Sequence, residues 1–356
     1  MALHAVILAG GAGERFWPAS RQKRPKPFLE VLDGVSLLEA THRRARRFAS
    51  PGCVWVVCGR EHAAAIRRET GLTNRRVLVE PRRRNTAMAM SWAAHHIAAH
   101  DPEAVLVVLS ADHHIPDARA FAAAIRKSAK AARSAGCIVT LGVKPRRPET
   151  GYGYIQTGPP AARAHPGLRR VKRFVEKPDA ARARSYLRRG GYLWNAGIFI
   201  VGARILLQEI ESCAPDLHRA LSPLAKAPRA RSGAALERAY RRAPSLPIDV
   251  AVMERSRKVW TLPVSFAWSD VGTWLSLAEE LGVAPGETRV VGGELISDDT
   301  GGNLVWGSER PIALLGVEGL AVIDTGDVLL VTILERSPDV RWIVSDLKKR
   351  GRRDLT

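Results

Sequence analysis

Residues 6–30, VILAGGAGERFWPASRQKRPKPFLE, contain the pattern that decides the fold. An apolar run at Ala5–Leu8 predicts a buried strand, and a loop with Gly10, Gly11 and Gly13 follows it. Glycines in such a loop allow backbone N–H groups to approach an anion closely, and a following helix N-terminus would add its dipole. A tight turn would explain the glycines alone equally well, so the interpretation depends on the residues that follow.

Two cations follow the glycines and favour a phosphate site. Arg15 comes two residues after the last glycine, and Lys26 stands between Pro25 and Pro27, which restrict the backbone on both sides. The loop is not a Walker A loop, because no GKS or GKT follows it, and it is not GxGxxG, because Phe16 takes the last position. The combination predicts a site for a nucleoside triphosphate or a polyphosphate.

Outward from this loop, residues 1–142 alternate between short apolar runs and helical patterns. The further predicted strands are Val54–Val57, Arg76–Val79, Ala104–Leu109 and Ile138–Leu141. The predicted helices are Leu37–Phe48, Glu61–Glu69, Thr86–Ala99 and Ala118–Ala135. Strands that alternate with helices predict βαβ units and a mostly parallel sheet, with ligands at the carboxyl ends of the strands.

The rest of the chain changes texture twice. Residues 151–282 mix the strands Tyr152–Gln156, Leu168–Glu176 and Asn195–Val201 with helices near Ala180–Arg189 and Arg204–Cys213. After Pro285 come five short strands divided by Gly and Asp turns, which could form a small β-solenoid, and a closing helix at Asp339–Lys349. We therefore predict a catalytic domain over residues 1–284 and a small β-rich domain with a terminal helix over residues 285–356.

Composition excludes several classes of protein. The chain has 356 residues, and its longest apolar runs are far shorter than the ~20 residues of a membrane helix. The net charge of +20 would suit a nucleic-acid binder, but the basic residues are spread along the chain and aromatic residues make up only 6%. No CxxC pair and no secretory signal are visible. We expect a cytoplasmic protein without a membrane or nucleic-acid partner.

The opening segment resembles the signature GGxGxRxxPxSxxxxPKP of the sugar-1-phosphate nucleotidylyltransferases, and its FWPAS variant is most similar to the mannose-1-phosphate guanylyltransferase branch. Seven further segments of that branch occur in the same order: EPRRRNTA (80–87), LSADHHI (109–115), TGYGYI (150–155), FVEKPD (174–179), LWNAGIF (193–199), PIDVAVME (247–254) and WSDVGTW (268–274). The resemblance covers about residues 3–282. It implies a Rossmann-like, mostly parallel mixed sheet flanked by helices, in an enzyme that uses GTP, mannose 1-phosphate and Mg²⁺.

The resemblance also implies roles for single residues. Arg15 and Lys26 would act on the triphosphate as catalytic cations, and Asp112 and Asp270 would hold the metal. The residues implied in nucleotide binding are Gly10, Gly11, Gly13, Pro81, Asn85, Thr86 and Ser110. The residues implied in sugar binding are Gly153, Glu176, Lys177, Asn195 and Gly197. Asp249 and Glu254 lie in a matching segment without an assignable role.

Each of these residues could instead have a purely structural role. Asp112 or Asp270 could serve only a turn, Asn85 or Thr86 could cap a helix, and the pair Glu176–Lys177 could be a surface ion pair. Trp194, Trp268 and Trp274 are expected to pack in the core. Likewise, His113 and His114 are expected to be structural, because a phosphate nucleophile is already ionised at neutral pH.

Two other functions remain open from the sequence. The first is a nucleotidylyltransferase for another sugar 1-phosphate or nucleotide, because Arg83, Met88 and Ser110 depart from the residues common in the family. The second is a non-catalytic regulatory or RNA-associated homologue, although such a protein would be expected to lose its site cations and acids. Oligomeric state is not readable, but a small C-terminal β domain often serves dimerisation in this family.

Overall fold

The computed structural model of the chain describes residues 2–11, 13–32, 34–225, 233–307 and 309–356. The fold divides into two compact units that alternate along the chain. The first unit contains residues up to Gly10, Thr41–Ala111 and Ile115–Trp268, and the second contains Gly11–Ala40, Asp112–His114 and Ser269–Thr356. Of the glycine loop after the first strand, Gly10 therefore belongs to the first unit, whereas Gly11 and Gly13 belong to the second unit together with the C-terminal residues. The division after residue 284 stays a prediction.

The first unit is built on a mixed sheet of nine strands among the described residues. Their order is β3-β2-β1-β4-β8-β5-β9-β7-β6. The strands are β1 (Leu3–Ala9), β2 (Val54–Gly59), β3 (Val77–Glu80), β4 (Val105–Ser110), β5 (Ile138–Val143), β6 (Tyr154–Pro160), β7 (Arg169–Val175), β8 (Tyr192–Gly202) and β9 (Val259–Val264). Of these nine strands, β7 and β8 run opposite to the other seven. Strand β8 pairs antiparallel with β4, β5 and β6. Strand β7 pairs antiparallel with β6 and β9. A mixed sheet is thus confirmed: seven of the nine described strands share one direction, but five of the nine strand pairings are antiparallel, so the mostly parallel pairing that was expected holds only for β1–β4 and for β5 with β9.

Helices connect these strands. They are α1 (Leu37–Ala45), α2 (Ala63–Thr70), α3 (Asn85–Ala98), α4 (Ala118–Ala135), α5 (Ala180–Arg189), α6 (Ala203–Cys213), α7 (Pro215–Ala225) and α8 (Ala234–Arg242). The two helices whose predicted bounds are reproduced have strong end signals. Asp117 caps α4 by accepting from the Ala120 N–H at 2.8 Å, and Asp179 caps α5 by accepting from the Arg182 N–H at 2.8 Å.

The second unit contains the β-rich C-terminal part. Its elements are α9 (Trp274–Glu280), β10 (Thr288–Val291), β11 (Leu295–Asp298), β12 (Asn303–Trp306), β13 (Ile312–Leu315), β14 (Leu320–Asp324), β15 (Leu329–Ile333) and α10 (Val340–Lys349). Strands β10, β12 and β14 pair in parallel, as do β11 and β13, so successive turns of the chain stack on one another. The antiparallel strand β15 ends the four-stranded sheet. The predicted solenoid-like arrangement of short strands is confirmed.

Three elements are not predicted by the sequence patterns. Strand β9 contains Pro263, which normally marks an edge; β7 pairs only with Trp260 and Thr261 of β9, so Pro263 lies beyond that pairing. Strand β11 exposes three of its four residues and shows no burial pattern. Helix α7 begins at Pro215 and contains Pro223, which obscures its periodicity. The polar stretch predicted as helices and loops over 223–247 includes α8, while residues 226–232 lie outside the described part.

Each unit has its own apolar core. In the first unit, α3 is buried along most of its length, with Met88 and Trp92 at most 1% exposed. In the second unit, Phe16 and Trp274 are fully buried, and their ring centroids lie 4.6 Å apart. Among the described residues, no helix combines the length and the apolar character needed to cross a membrane.

Candidate active site

Lys26 is the most constrained cation of the second unit. The residue is 5% exposed. Its Nζ donates to Asp112 Oδ2 at 2.8 Å and to the Asp270 carbonyl oxygen at 2.5 Å, and it lies 5.7 Å from the centroid of the Phe16 ring. Burying an ammonium group is costly unless it is paired and hydrogen-bonded, and here both conditions are met. The positive charge of Lys26 is therefore fixed in place by these two hydrogen bonds.

Backbone pairing explains why the two predicted metal ligands come together. His114 and Ser269 form an antiparallel bridge, with N–H to carbonyl distances of 2.9 and 3.1 Å. This bridge brings the turn that carries Asp112 beside the segment that carries Asp270. The Nδ1 of His114 lies 2.6 Å from Glu280 Oε2. This pairing is consistent with the structural role expected for His114.

Asp112 and Asp270 fit a magnesium ion by the chemistry of their donors. Both carboxylates are partly exposed, and both segments are tied to the buried ammonium of Lys26. Within the described ranges, no group of three or more His, Cys, Asp or Glu side chains could hold a metal. Mg²⁺ is usually bound by one or two carboxylates together with substrate phosphates and water, so two carboxylates suffice for it.

The glycine loop has one position where only glycine fits. Gly13 has φ of +61°, and a Cβ there would lie 2.6 Å from Ser20 Oγ and 2.7 Å from Lys26 Cβ. The missing side chain thus lets the loop pack directly against Lys26. In contrast, a Cβ on Gly11 would meet no described atom within 4 Å, although its φ of +109° also favours glycine.

Arg15 differs from Lys26 in its surroundings. It lies in a short 3-10 turn, Glu14–Phe16, and is partly exposed. In the part of the chain that the structure describes, no hydrogen bond or ion pair is made by its guanidinium. A planar group with five donors and no protein acceptor is suited to bind a phosphate group in two places at once.

The predicted nucleotide-binding residues of the first unit lie at one edge of the sheet. Leu8 of β1 pairs with Ser110, the last residue of β4. Gly10 follows β1, and Pro81 follows β3. Because β1, β3 and β4 are parallel, their carboxyl ends share this edge, where ligands of open α/β sheets bind.

Asn85 and Thr86 begin α3 as predicted, but Asn85 is not the helix cap. The cap position is Arg84, without a side-chain hydrogen bond, and Asn85 adopts a left-handed conformation with φ of +61°. Its Oδ1 accepts from the Thr86 N–H at 2.8 Å. Thr86 Oγ1 accepts from the Ile248 N–H at 2.9 Å. A strained asparagine at a helix start is typical of functional sites rather than of ordinary caps.

Glu80, which ends β3, is a half-buried carboxyl that the sequence did not single out. The Tyr240 hydroxyl donates to its Oε1 at 3.1 Å. Burial is the main cause that raises the pKa of Glu80 from 4.5 to about 7, although Tyr240 and Arg83 act in the opposite direction. At pH 6 the folded chain therefore keeps a proton that the unfolded chain has released.

We expect this carboxyl to make stability fall as the pH rises. Between pH 4.5 and 7 the folded state binds more protons at Glu80 than the unfolded state, so the free energy of unfolding decreases with pH, by about 3 kcal/mol in total. Glu80→Gln keeps the acceptor for Tyr240 and should remove this part of the slope. Urea unfolding at pH 5, 6, 7 and 8 measures it. Glu103→Gln, a substitution of an exposed carboxyl, is the control and should show the same pH dependence of the free energy of unfolding as the unsubstituted chain. If Glu80→Gln also kept that pH dependence, the pKa assigned to Glu80 would be refuted.

Three of the predicted sugar-binding residues lie together in the first unit. The Asn195 N–H donates to the Gly153 carbonyl at 2.8 Å. A Cβ on Gly153 would lie 2.8 Å from Glu176 Oε2 and 3.3 Å from Asn195 Cβ, so glycine allows the three residues to approach. Gly197, further along β8, has φ of +64° within the strand.

Glu176 and Lys177 reach the same side because both lie beyond the strand. β7 ends at Val175, so the predicted strand to Glu176 is one residue too long. Lys177 then adopts φ of +45° before Pro178, which turns the chain. Its Nζ lies 3.2 Å from Glu176 Oε1, and its side chain is 63% exposed. The ion pair considered from the sequence is therefore present, and its lysine remains accessible to a ligand.

The three tryptophans expected to pack do so. Trp194, Trp268 and Trp274 are 5%, 8% and 0% exposed. Sequence reasoning missed Thr140 and gave no role to Asp249 or Glu254, all of which hydrogen-bond to Asn195 or Glu176 of the predicted sugar site. The available signal was a hydroxyl in the otherwise apolar strand β5.

Known proteins share both parts of the chain. Residues 4–282 match the family "Nucleotidyl transferase", and residues 293–347 match "MannoseP isomerase/GMP-like beta-helix domain". "Xanthan biosynthesis protein XanB" of Xanthomonas campestris pv. campestris (strain B100) is 38% identical over 99% of this chain and 74% of that protein. "Mannose-1-phosphate guanylyltransferase" of Escherichia coli (strain K12) is 35% identical over 99% of this chain and 75% of that protein.

A solved structure extends the similarity to the whole fold. The "mannose-1-phosphate geranyltransferase" from Thermus thermophilus is 37% identical, with a TM-score of 0.89 over 98% of this chain and 100% of that chain. Similarity at this level covers the sheet, the glycine loop and the C-terminal strands alike. The chain belongs to the nucleotidyl transferase family and, within it, is an enzyme of the mannose-1-phosphate guanylyltransferase group.

Proposed function

We propose that the chain transfers GMP from GTP to mannose 1-phosphate, giving GDP-mannose and pyrophosphate. The observation that carries this proposal is the buried Lys26 ammonium, which is bound at once to the carboxylate of Asp112 and to the backbone of Asp270. A reaction between two anions requires a fixed cation, and the adjoining segments of Asp112 and Asp270 supply carboxylates that could hold a second one. The name of the relative from Escherichia coli, mannose-1-phosphate guanylyltransferase, supports this choice of substrates.

In the proposed reaction, a phosphate oxygen of mannose 1-phosphate attacks the α-phosphorus of GTP. The bond from the α-phosphorus to the bridging oxygen breaks, and pyrophosphate leaves with the electron pair. No general base is assigned, because the attacking phosphate oxygen is already ionised at neutral pH. Lys26 and Arg15 stabilise the negative charge that develops on the departing pyrophosphate. Lys26 does so as a fixed point charge, and Arg15 through paired hydrogen bonds.

Asp112 and Asp270 would hold Mg²⁺. When bound, this ion would neutralise charge on the phosphate oxygens of the nucleotide. Gly10, Gly11 and Gly13 would offer backbone N–H groups to the nucleotide. Pro81, Asn85, Thr86 and Ser110 complete the proposed nucleotide-binding set. Asn195, Glu176 and the backbone of Gly153 and Gly197 would bind sugar hydroxyl groups, and Lys177 would bind the sugar phosphate.

The family departures do not argue strongly for another nucleotide. Met88 is fully buried in the core of the first unit, and Arg83 pairs with the exposed Glu61 at 2.9 Å. Of the three departures, only Ser110 ends a strand at the edge where the nucleotide would bind. Arg83 lies in the loop between Pro81 and Asn85 of the proposed nucleotide-binding set. The function with a different sugar or base therefore depends on Ser110 and Arg83.

Pyrophosphate release tests the proposed specificity. We expect purified protein with Mg²⁺ to release pyrophosphate with GTP and mannose 1-phosphate at least about 100-fold faster, by kcat/KM, than with ATP, UTP, CTP or dTTP, or with glucose 1-phosphate. A site that hydrogen-bonds a base rejects an analogue with mismatched groups strongly. Equal or faster release with another pair would keep the chemistry and change the substrates. No release with any pair from folded protein would contradict the enzyme function.

The two parts of the chain would have different roles. We assign transferase activity to residues 1–284 and propose dimerisation through residues 285–356. What supports dimerisation is an apolar groove of about 790 Å³ on the C-terminal part, beside Val331, Ile333 and Trp342, which are 55%, 51% and 70% exposed. A cytoplasmic location stays a prediction, and the four free cysteines agree with it.

A further inference from the structure

The side-chain amide of Asn195 is held at both ends. The Thr140 hydroxyl donates to its Oδ1 at 2.7 Å, and its Nδ2 donates to Asp249 Oδ1 at 3.0 Å. Asn195 is only 7% exposed. An amide nitrogen carries two hydrogens, so one N–H of Asn195 remains for a ligand. The direction of that N–H is decided by the two groups that hold the amide.

Asp249 is the group that fixes this direction. A hydroxyl such as that of Thr140 can donate or accept, whereas an ionised carboxylate only accepts. An ionised Asp249 therefore requires the nitrogen, and not the oxygen, of the Asn195 amide to face it. A protonated Asp249 can also donate and would allow the amide to turn over. The orientation of Asn195 is thus linked to the charge on Asp249.

The segment that carries Asp249 is connected to both proposed binding regions of the first unit. The Leu246 carbonyl accepts from the Ala87 N–H at 3.2 Å, next to the Thr86 bond to Ile248. Asp249–Met253 then forms a single π-helical turn, a feature found often at functional sites. At its end, Glu254 Oε1 accepts from the Glu176 N–H at 2.9 Å. One short segment thus ties the helix start at Thr86 to Asn195 and Glu176.

Burial, together with the charges around it, brings the titration of Asp249 near neutrality. Glu176, Lys177 and Glu254 are the charged groups that face it. The pKa of Asp249 is raised from 3.8 to about 7: burial is the largest cause, the carboxylates of Glu176 and Glu254 also raise it, and a backbone hydrogen bond and Lys177 lower it. The fraction of ionised Asp249 therefore increases over the pH range in which the enzyme would be assayed.

We infer that Asp249 is a positioning residue for the hexose 1-phosphate, and that it acts by holding the Asn195 amide so that its remaining N–H meets a sugar hydroxyl. This inference rests on the proposed function, because it takes Asn195 as a sugar contact. It adds a role for a segment to which the sequence motifs assign none. Asp249 does not touch the reacting phosphates in this assignment.

Two substitutions of Asp249, and one of Asn195 in a double-mutant cycle, measure this role. Asp249→Ala should raise KM for mannose 1-phosphate about tenfold, the effect of one hydrogen bond to a charged group, and leave KM for GTP within about twofold. Asp249→Asn can donate as well as accept, as protonated Asp249 can, so it should raise KM for mannose 1-phosphate by less than Asp249→Ala, to about the value that the unsubstituted enzyme shows well below pH 7. It should also flatten the decrease in KM for mannose 1-phosphate that the unsubstituted enzyme shows as the pH rises through 7. The phosphate group of mannose 1-phosphate titrates in the same way in assays of either enzyme. The difference in the pH dependence of KM between the unsubstituted enzyme and Asp249→Asn therefore reports the titration of Asp249.

A double-mutant cycle with Asn195→Ala separates positioning from direct binding. If Asp249 acts through Asn195, then Asp249→Ala should have no further effect on KM once Asn195 is alanine. Glu209→Gln is the matched control, since Glu209 is a buried carboxylate of the same unit that accepts from Ser256 at 2.6 Å and pairs with Lys258 at 2.9 Å. It should lower thermal stability without changing either KM.

The outcomes are distinguishable. Additive effects in the cycle, equal increases in KM for both substrates, or a pH dependence retained in Asp249→Asn would overturn the inference. Asp249→Asn carries the test if the alanine variant does not fold. Failure of the unsubstituted enzyme to turn over mannose 1-phosphate would instead overturn the proposed function. The positioning role of Asp249 toward that substrate would then be overturned as well.

Discussion

Asp112→Ala is expected to lower kcat for pyrophosphate release by about 10³-fold. The variant loses a proposed metal ligand and also the carboxylate that accepts from the buried Lys26 ammonium at 2.8 Å. Lys26 would keep its bond to the Asp270 carbonyl, but a buried charge with one partner fewer is poorly held. Steady-state kinetics at saturating GTP and mannose 1-phosphate measure the loss.

Asp117→Ala is the matched control for this prediction. Asp117 lies five residues further along, in the first unit, and caps α4 by accepting from the N–H groups of Arg119 and Ala120. Its removal should cost about 1 kcal/mol of stability and leave kcat unchanged. A kcat for Asp112→Ala within tenfold of the unsubstituted enzyme would contradict the role given to Asp112. A similar loss of kcat in both variants would point to general destabilisation.

Gly13→Ala is the second change with a large expected effect. The new Cβ would lie 2.6 Å from Ser20 Oγ and 2.7 Å from Lys26 Cβ, so the loop and the lysine cannot both keep their places. We expect kcat to fall by about 10²-fold, because a displaced charge no longer stabilises the departing pyrophosphate. The left-handed backbone adds a cost of about 1–2 kcal/mol to stability.

Gly34→Ala separates strain from the clash. Gly34 lies in the same unit and has φ of +66°, but a Cβ there would meet no described atom within 4 Å. This variant should lose about the same stability from backbone strain and keep its kcat. If Gly34→Ala and Gly13→Ala reduced kcat equally, the packing of Gly13 against Lys26 would have no catalytic meaning.

The parallel half of the sheet and its loops could be predicted from the sequence. The apolar runs of β1 and β4 are bounded by glycine or polar residues, and their bounds differ from the predicted ones by one or two residues. Position-specific motifs placed Lys26, Asp112 and Asp270 in one site, and the hydrogen bonds of Lys26 link all three. The catalytic role given to these residues stays a prediction, while their proximity was carried by the family motifs and not by any local strand or helix pattern.

Other features depend on contacts that no local pattern contains. Strand β9 forms despite Pro263 because its pairing with β7 is short. The bridge between His114 and Ser269 joins residues far apart in the chain. Asp249 acquires its elevated pKa from burial and from Glu176, which is 73 positions away in the sequence. Such effects arise from tertiary packing, so a sequence alone could mark these residues but could not give them roles.

The most direct test of the proposed transfer is to follow the phosphate oxygens of the sugar substrate. Mannose 1-phosphate with ¹⁸O in its non-bridging phosphate oxygens is incubated with GTP, Mg²⁺ and the enzyme, and the products are analysed by mass spectrometry. Attack by the sugar phosphate on the α-phosphorus predicts GDP-mannose that retains all of the label and pyrophosphate that contains none. Label in the pyrophosphate, or turnover of GTP without labelled GDP-mannose, would contradict the account.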